Sequence, residues 1–138
     1  MNIFIALHVS IYRATSGRLG GTLRGAPVML LTTTGRKSGL PRTTPVMYVR
    51  DGDALATVAS NGGKDREPQW WSNLKANPTA TVQVKGEKMT VEARKADPEE
   101  KGRLWKLLTG VYPTYDDYQA KTSRKIPVVI LQPLGPAT

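Results

Sequence analysis

The chain has 138 residues, enough for one domain with a buried core and no need of staples. It contains no cysteine and a single histidine, His8, which excludes disulfides, thiolate chemistry and a zinc cluster and fits a reducing cytoplasm. The net charge of +9 is unevenly placed: residues 1–50 hold Arg13, Arg18, Arg24, Arg36, Lys37, Arg42 and Arg50 with no Asp or Glu, a field that draws polyanions such as nucleic acid, anionic lipid or a phosphorylated or polycarboxylate small molecule.

The apolar run Ile3-Phe4-Ile5-Ala6-Leu7, followed by Val9, Ile11 and Tyr12, reads as a helix. It is too short to span a bilayer and lacks the features of a secretory signal. Packing on the domain is the preferred reading; the other is a helix on a membrane surface, with Arg13 and Arg18 reaching lipid phosphates. Gly17, Gly20 and Gly21 then form a hinge. Pro27 to Thr34 is a nearly continuous apolar strand of the kind buried on both faces. Next comes Thr34-Gly35-Arg36-Lys37-Ser38-Gly39-Leu40-Pro41-Arg42, with three cations, a hydroxyl and two glycines in one turn: the composition of an anion clamp.

Thr43 to Arg50 reads as a second strand, Asp51-Gly52-Asp53 as a hairpin turn and Ala54 to Ala59 as a third strand. Ser60-Asn61-Gly62-Gly63 is a second loop suited to close backbone approach. Glu67-Pro68 opens a helix to about Ala76, with Trp71 and Leu74 on one face and Trp70 and Asn73 on another, so that one tryptophan enters the core and the other lines a site. Two alternating strands follow, Ala80 to Lys85 and Met89 to Arg94, joined through Lys85-Gly86-Glu87-Lys88. Asp97-Pro98-Glu99-Glu100 starts a helix whose core stripe is Leu104, Leu107, Leu108 and Val111. Tyr112, Tyr115 and Tyr118 share one side of a helical turn, and Ile126 to Leu131 is the last strand. Six strands in hairpin order with inserted helices indicate a mainly antiparallel barrel.

Familiar catalytic motifs are missing. Arg36 stands where a P-loop needs glycine, no G-x-G-x-x-G or G-x-S-x-G occurs, and a hydrolytic triad lacks its usual base because His8 reads as an ordinary core or surface imidazole. What remains is the basic loop, the Ser-Asn-Gly-Gly loop, a tryptophan face and three tyrosines. Pro113 and the adjacent aspartates make residues 112–118 a poor core helix, so the tyrosines read as a lid over a flat aromatic ligand, able to stack and to donate a proton.

Four runs, Gly35 to Arg42, Ala59 to Gly63, Pro68 to Pro78 and Tyr112 to Gln119, together resemble the deazaflavin-dependent nitroreductase family of actinobacteria, whose members use reduced coenzyme F420 to reduce quinones and, incidentally, nitroimidazoles. The resemblance spans about Leu19 to Pro133. It implies a split β-barrel like that of the flavin reductases, with a single domain over 1–138: an N-terminal helix and hinge (1–20) and a cofactor-binding barrel (21–133). It further implies that Arg36, Lys37, Ser38 and Arg42 hold the cofactor's phosphate and glutamate tail. Thr44, Pro45, Val46 and Met47, together with Val58, Ala59, Ser60 and Asn61, would border the lactyl phosphate and ring, and Gln69, Trp70 and Asn73 would lie at the cofactor. Asn61 stands where relatives often have lysine.

The expected activity is hydride transfer from reduced F420 to a flat electron-poor acceptor, a menaquinone-like quinone, with incidental action on nitroaromatics. Tyr112, Tyr115 and Tyr118 would form the acceptor wall, one of them supplying the proton, and Ser60 and Tyr115 would hydrogen-bond the acceptor oxygen or ordered water. The hydride chemistry resides in the cofactor, which accounts for the missing nucleophiles. The expected setting is cytoplasmic; on the second reading of the N-terminal helix, residues 1–18 contact the inner face of an anionic membrane. Two alternatives stay open: an FMN-dependent reductase of the same barrel class, and a non-enzymatic binder of nucleic acid or of a flat ligand such as a tetrapyrrole. A nucleic-acid track would interleave its cations with aromatics, whereas here the aromatics lie in mixed or acidic sequence, so no nucleic-acid partner is expected.

Overall fold

The computed structural model describes residues 3–17, 21–23 and 26–136. The hinge position Gly20 and the lipid contact assigned to Arg18 lie outside them. Helix α1 (Ile3–Thr15) leads into an antiparallel sheet of β1 (Thr22–Leu23), β2 (Ala26–Thr34), β3 (Pro41–Met47), β4 (Val49–Asp51) and β5 (Ala54–Val58). A short 3-10 turn (Asn61–Gly63) and α2 (Gln69–Ala76) precede the hairpin β6 (Thr79–Val84) and β7 (Glu87–Lys95), and α3 (Pro98–Val111), α4 (Thr114–Ala120) and β8 (Val128–Pro136) complete the described chain.

The strand order is β1-β2-β6-β7-β8-β5-β4, with β3 pairing β2. The run 43–50, expected to be one strand, is two: β3 lies along β2, with Val28 opposite Met47, whereas β4 lies along β5, with Val49 opposite Ala56. Tyr48 is the break. Its N–H donates to the carbonyl of Pro27 at 3.1 Å, and the Met47 carbonyl accepts from the Thr57 hydroxyl at 2.6 Å, so the backbone groups freed by the change of partner are satisfied. β3, beside β2, and β4, at the far end beyond β5, are therefore consecutive in the chain, and the sheet curls into a split barrel. With β1, this division makes eight strands instead of six.

Period-two alternation gives the middle strands two apolar faces. Leu55 of β5 and Val129 and Leu131 of β8 join Met29, Leu31, Val82, Val91, Trp71 and Leu74 inside the barrel. Ala56, Val58, Val128 and Ile130 point the other way, beneath Leu104, Leu108, Tyr112 and Tyr115. Each fully buried leucine contributes roughly 1.5–3 kcal/mol relative to exposure. The last strand is longer than Ile126 to Leu131 and is internal, pairing with both β5 and β7.

Helix α1 packs on the barrel through Val9 and Tyr12 against Leu30. The Tyr12 hydroxyl donates to the Gln83 carbonyl at 3.1 Å and accepts the Lys85 N–H at 2.7 Å, and Arg13 donates to the Thr43 hydroxyl at 3.2 Å. Helix α3 begins with a reciprocal capping box between Asp97 and Glu100. A two-pronged contact with Arg94, reinforced by the Asp97 N–H, pulls the Glu100 carboxyl down to about 2. Its core stripe is narrower than expected: Leu104 and Leu108 are buried, while Leu107 is 47% exposed because it lies roughly a quarter of a turn off that line.

Candidate active site

A groove of about 930 Å³ runs along β3 and is lined by residues from both of its faces. Register places Val28 opposite Met47, Leu30 opposite Pro45 and Thr32 opposite Thr43, all on one face. Leu30 meets α1 on that face, and Val28, Thr43, Pro45 and Met47 line the groove beside it. Thr44, Val46 and Val58 also line it, giving its middle a largely apolar wall.

At one end sits the basic loop, a closed turn in which the Gly35 N–H donates to Leu40 O and the Gly39 N–H to Gly35 O, both at 2.8 Å. Gly39 has φ +72°, which a side chain would resist. Arg36 is braced twice by α2: its backbone N–H and its Nη1 both donate to Asn73 Oδ1, at 3.1 and 3.0 Å, while Asn73 Nδ2 donates to the Thr33 hydroxyl at 3.1 Å. Asn73 lines the groove as expected, yet both ends of its buried amide are engaged by protein, so it acts as a bracket for Arg36. Ser38 accepts the Leu40 N–H at 3.2 Å. Lys37 and Arg42 are exposed on the groove and, among the described residues, make no ion pair.

Gln69 and Trp70 contribute from the start of α2, and the neighbouring Trp71 turns into the barrel core. Ser60 and Asn61 line the groove, but Ala59 does not: it is fully buried. Asn61 adopts φ +48° and spends its amide on the Arg66 carbonyl at 2.9 Å.

The tyrosines close the other end. The single helical turn expected for them is broken, because α3 stops at Val111 and Pro113 begins the next helix. They nevertheless meet: the Tyr112 and Tyr115 rings pack edge to face at 4.9 Å, and the Tyr112 and Tyr118 hydroxyls share a hydrogen bond of 2.9 Å. Tyr112 and Tyr115 are buried, so these side chains are part of the core as well as a wall of the groove. The Tyr115 hydroxyl has no hydrogen-bond partner among the described residues and is not sealed from solvent, which leaves its donor available in the groove. Burial, then the neighbouring Tyr112 and Tyr118 hydroxyls, push its pKa up.

Helix α4 is seated on the 3-10 turn at Gly63, which has φ +80°; a Cβ there would lie 2.7 Å from the Tyr118 carbonyl oxygen and 2.8 Å from its Cα. Gly63→Ala is therefore expected to destabilise the fold by roughly 2 kcal/mol or more. A thermal melt should show a fall of roughly 6 °C or more; an unchanged Tm would contradict this seating.

Sequence reasoning missed Ile5 and His8 of α1, which line the groove, and the threonines Thr33 and Thr57. A histidine two turns into an amphipathic helix carries no local signal of a site; only the crossing of α1 over β3 brings it there. The wall chemistry, cations at one end, an apolar slot at the middle and phenols at the other, fits a long ligand with an anionic tail and a flat ring.

The family model of F420H(2)-dependent quinone reductases matches residues 5–133. An F420H(2)-dependent quinone reductase of Mycobacterium tuberculosis is 46% identical over 131 residues, which cover 92% of this chain and 88% of the relative. A solved structure described as an F420-H2 dependent reductase is 45% identical, with a TM-score of 0.71 over 77% of this chain and 94% of that one. A solved domain-swapped dimer is 39% identical, with a TM-score of 0.74 over 92% and 96%. The match extends from the α1 residues at the groove through the tyrosines to the last strand, and on that breadth the chain belongs to the F420H(2)-dependent quinone reductase family.

Proposed function

We propose that the protein reduces a quinone with reduced F420, bound along the groove with its anionic tail at Arg36, Lys37 and Arg42. The observation that carries this reading is the groove itself, which runs from cations that make no ion pair among the described residues to a tyrosine hydroxyl with no hydrogen-bond partner among them. The bound cofactor supplies the hydride. Pro45, Val46, Met47, Val58 and Trp70 give the ring a dry slot, and Ser60 and Asn61 border it. Tyr115 donates its proton to the quinone oxygen and is reprotonated from solvent, so that quinone, hydride and proton give the quinol. Tyr112 and Tyr118 hold each other through their shared hydrogen bond and buttress the Tyr115 ring. Nitroaromatics, flat and electron-poor, fit the same wall as incidental acceptors.

Titration followed by quenching of Trp70 decides among cofactors. F420H2 should quench at micromolar concentration, with FMN and an oligonucleotide at least tenfold weaker, and addition of the short-chain quinone menadione should reoxidise F420H2. Preferential binding of FMN, or no reoxidation, would overturn the assignment.

Helix α1 adds a membrane-facing element to this reading. No helix among the described residues is long and apolar enough to cross a membrane. Ile3, Phe4 and Leu7 are nonetheless 77%, 77% and 56% exposed, on the helix whose Ile5 and His8 line the groove. A long-tailed quinone entering past α1 would be handed over at the surface of an anionic bilayer. Ile3→Asp/Leu7→Asp is expected to abolish co-sedimentation with anionic vesicles at low salt and to lower turnover of a vesicle-borne long-chain quinone about tenfold, leaving menadione turnover unchanged. If the wild-type chain does not sediment with such vesicles, the membrane contact is refuted.

A further inference from the structure

Arg124 lies in the connection between α4 and β8, outside every motif considered above, and its guanidinium gathers the carbonyls of the loop that carries Ser60. Nη1 donates to Ala59 O at 3.1 Å, Nη2 to Ser60 O at 2.9 Å and to Lys64 O at 3.2 Å, and Nε to Lys64 O at 3.3 Å. The residues between these carbonyls need such a restraint. Asn61, Gly62 and Gly63 all have positive φ, at 48°, 65° and 80°; Asn61 resists that conformation, and the two glycines adopt it freely but are equally free to leave it, so the loop depends on its surroundings to hold one shape.

The same residue is tied to the tyrosines. Gln119, in α4, donates from Nε2 to the Arg124 carbonyl at 2.7 Å, and its Oε1 accepts the Ile126 N–H at 3.0 Å. The Arg124 N–H donates to the Thr122 hydroxyl, which donates in turn to Asp65 Oδ1 at 2.7 Å. One side chain thus fixes the loop bordering the cofactor, and its own backbone is fixed by the helix that carries Tyr115 and Tyr118. Only arginine offers several donors in a rigid plane; a lysine ammonium keeps the charge but cannot span three carbonyls in this arrangement.

We propose that Arg124 is a positioning residue that locks the Ser60 loop and the tyrosine helix into one rigid unit, setting the separation between the hydride donor and the acceptor. The proposal rests on the hydride-transfer reading above. Transfer requires the reacting atoms about 3–3.5 Å apart, and a displacement of about 1 Å costs on the order of 100-fold. The Arg124 side chain does not line the groove and its hydrogen bonds go to the carbonyls of the Ser60 loop, so its effect is expected on turnover and not on affinity.

The test is Arg124→Lys in the full chain. In the cofactor-free protein, amide hydrogen exchange at 59–64 and at 114–120 is expected to accelerate together, tenfold or more, with β2 and β6 unchanged. With F420H2 and menadione, kcat should fall at least tenfold while the cofactor Kd, read from tryptophan quenching, moves less than threefold. With F420H2 deuterated at the donor carbon, the isotope effect on a single turnover should rise, which loss of folded protein alone would not produce. Exchange that accelerates in one segment only, or an unchanged kcat, would overturn the proposal. If β2 and β6 also lose protection, Gln119→Ala, which cuts the link to α4 and spares the guanidinium, decides by the same readouts. A wild-type protein that does not oxidise F420H2 with a quinone would instead refute the functional reading, and the exchange result would still report whether the two segments move as one.

Discussion

Lys37→Gln/Arg42→Gln should weaken F420H2 binding by about 100-fold or more. Both cations are exposed on the groove and have no carboxylate to neutralise them among the described residues. A charge-assisted hydrogen bond to phosphate or carboxylate contributes roughly 1.5–3 kcal/mol, less where solvent screens it. Two such losses at the lower end amount to about 3 kcal/mol, which is on the order of 100-fold in Kd. Arg36 is left in place because it also braces Asn73, and its removal would disturb Thr33 and α2 as well as charge. The measurement is tryptophan quenching at two ionic strengths. Wild-type affinity should fall with salt and the variant's should fall less, because there is less charge to screen. Turnover at saturating cofactor should stay within twofold. A Kd shift below threefold would place the anionic tail elsewhere.

Tyr115→Phe should lower kcat by about 100-fold while leaving the cofactor Kd within twofold, since a positioned general acid contributes at least that much. The ring packs edge to face with Tyr112, and phenylalanine keeps that contact, so the fold should be nearly unaffected. Tyr112→Phe and Tyr118→Phe should each cost less, because their hydroxyls are committed to one another. The pH dependence carries the same assignment. Burial raises the Tyr115 pKa above its ordinary value of 10.0, so the donor stays protonated through neutral and mildly alkaline pH. A raised pKa also means that the stability this group contributes is complete below pH 10 and is lost as the pH rises beyond it. Tyr115→Phe should therefore remove that alkaline component from a series of thermal melts. Equal turnover in wild type and Tyr115→Phe would exclude it as the proton donor.

Much of this site was legible from short-range chemistry. The basic loop needed only its composition, the start of α3 its Asp-Pro-Glu-Glu cap, and the tyrosine cluster its spacing of three, although Pro113 divides the helix that the spacing implied. What escaped the sequence depended on partners far along the chain. Residues 43–50 look like one strand because extended backbone does not reveal that the partner changes at Tyr48. Leu107 looks like a core residue by identity and is excluded by its angle on the helix. His8 and Arg124 carry no local pattern at all: one reaches the groove because α1 crosses β3, and the other acts on carbonyls some sixty residues away.

The position of β8 bears on how such a chain acquires its function during synthesis. β8 is inserted between β5 and β7, although it follows both of them in the chain. Until it arrives, β5 lacks its main partner and the β4–β5 hairpin has no strand beside it. Folding must wait for contacts of long sequence separation, which are slow to close and leave unpaired edges exposed in the meantime. A nascent chain that already carries Arg36, Lys37 and Arg42 consequently lacks the assembled groove until β8 is in place.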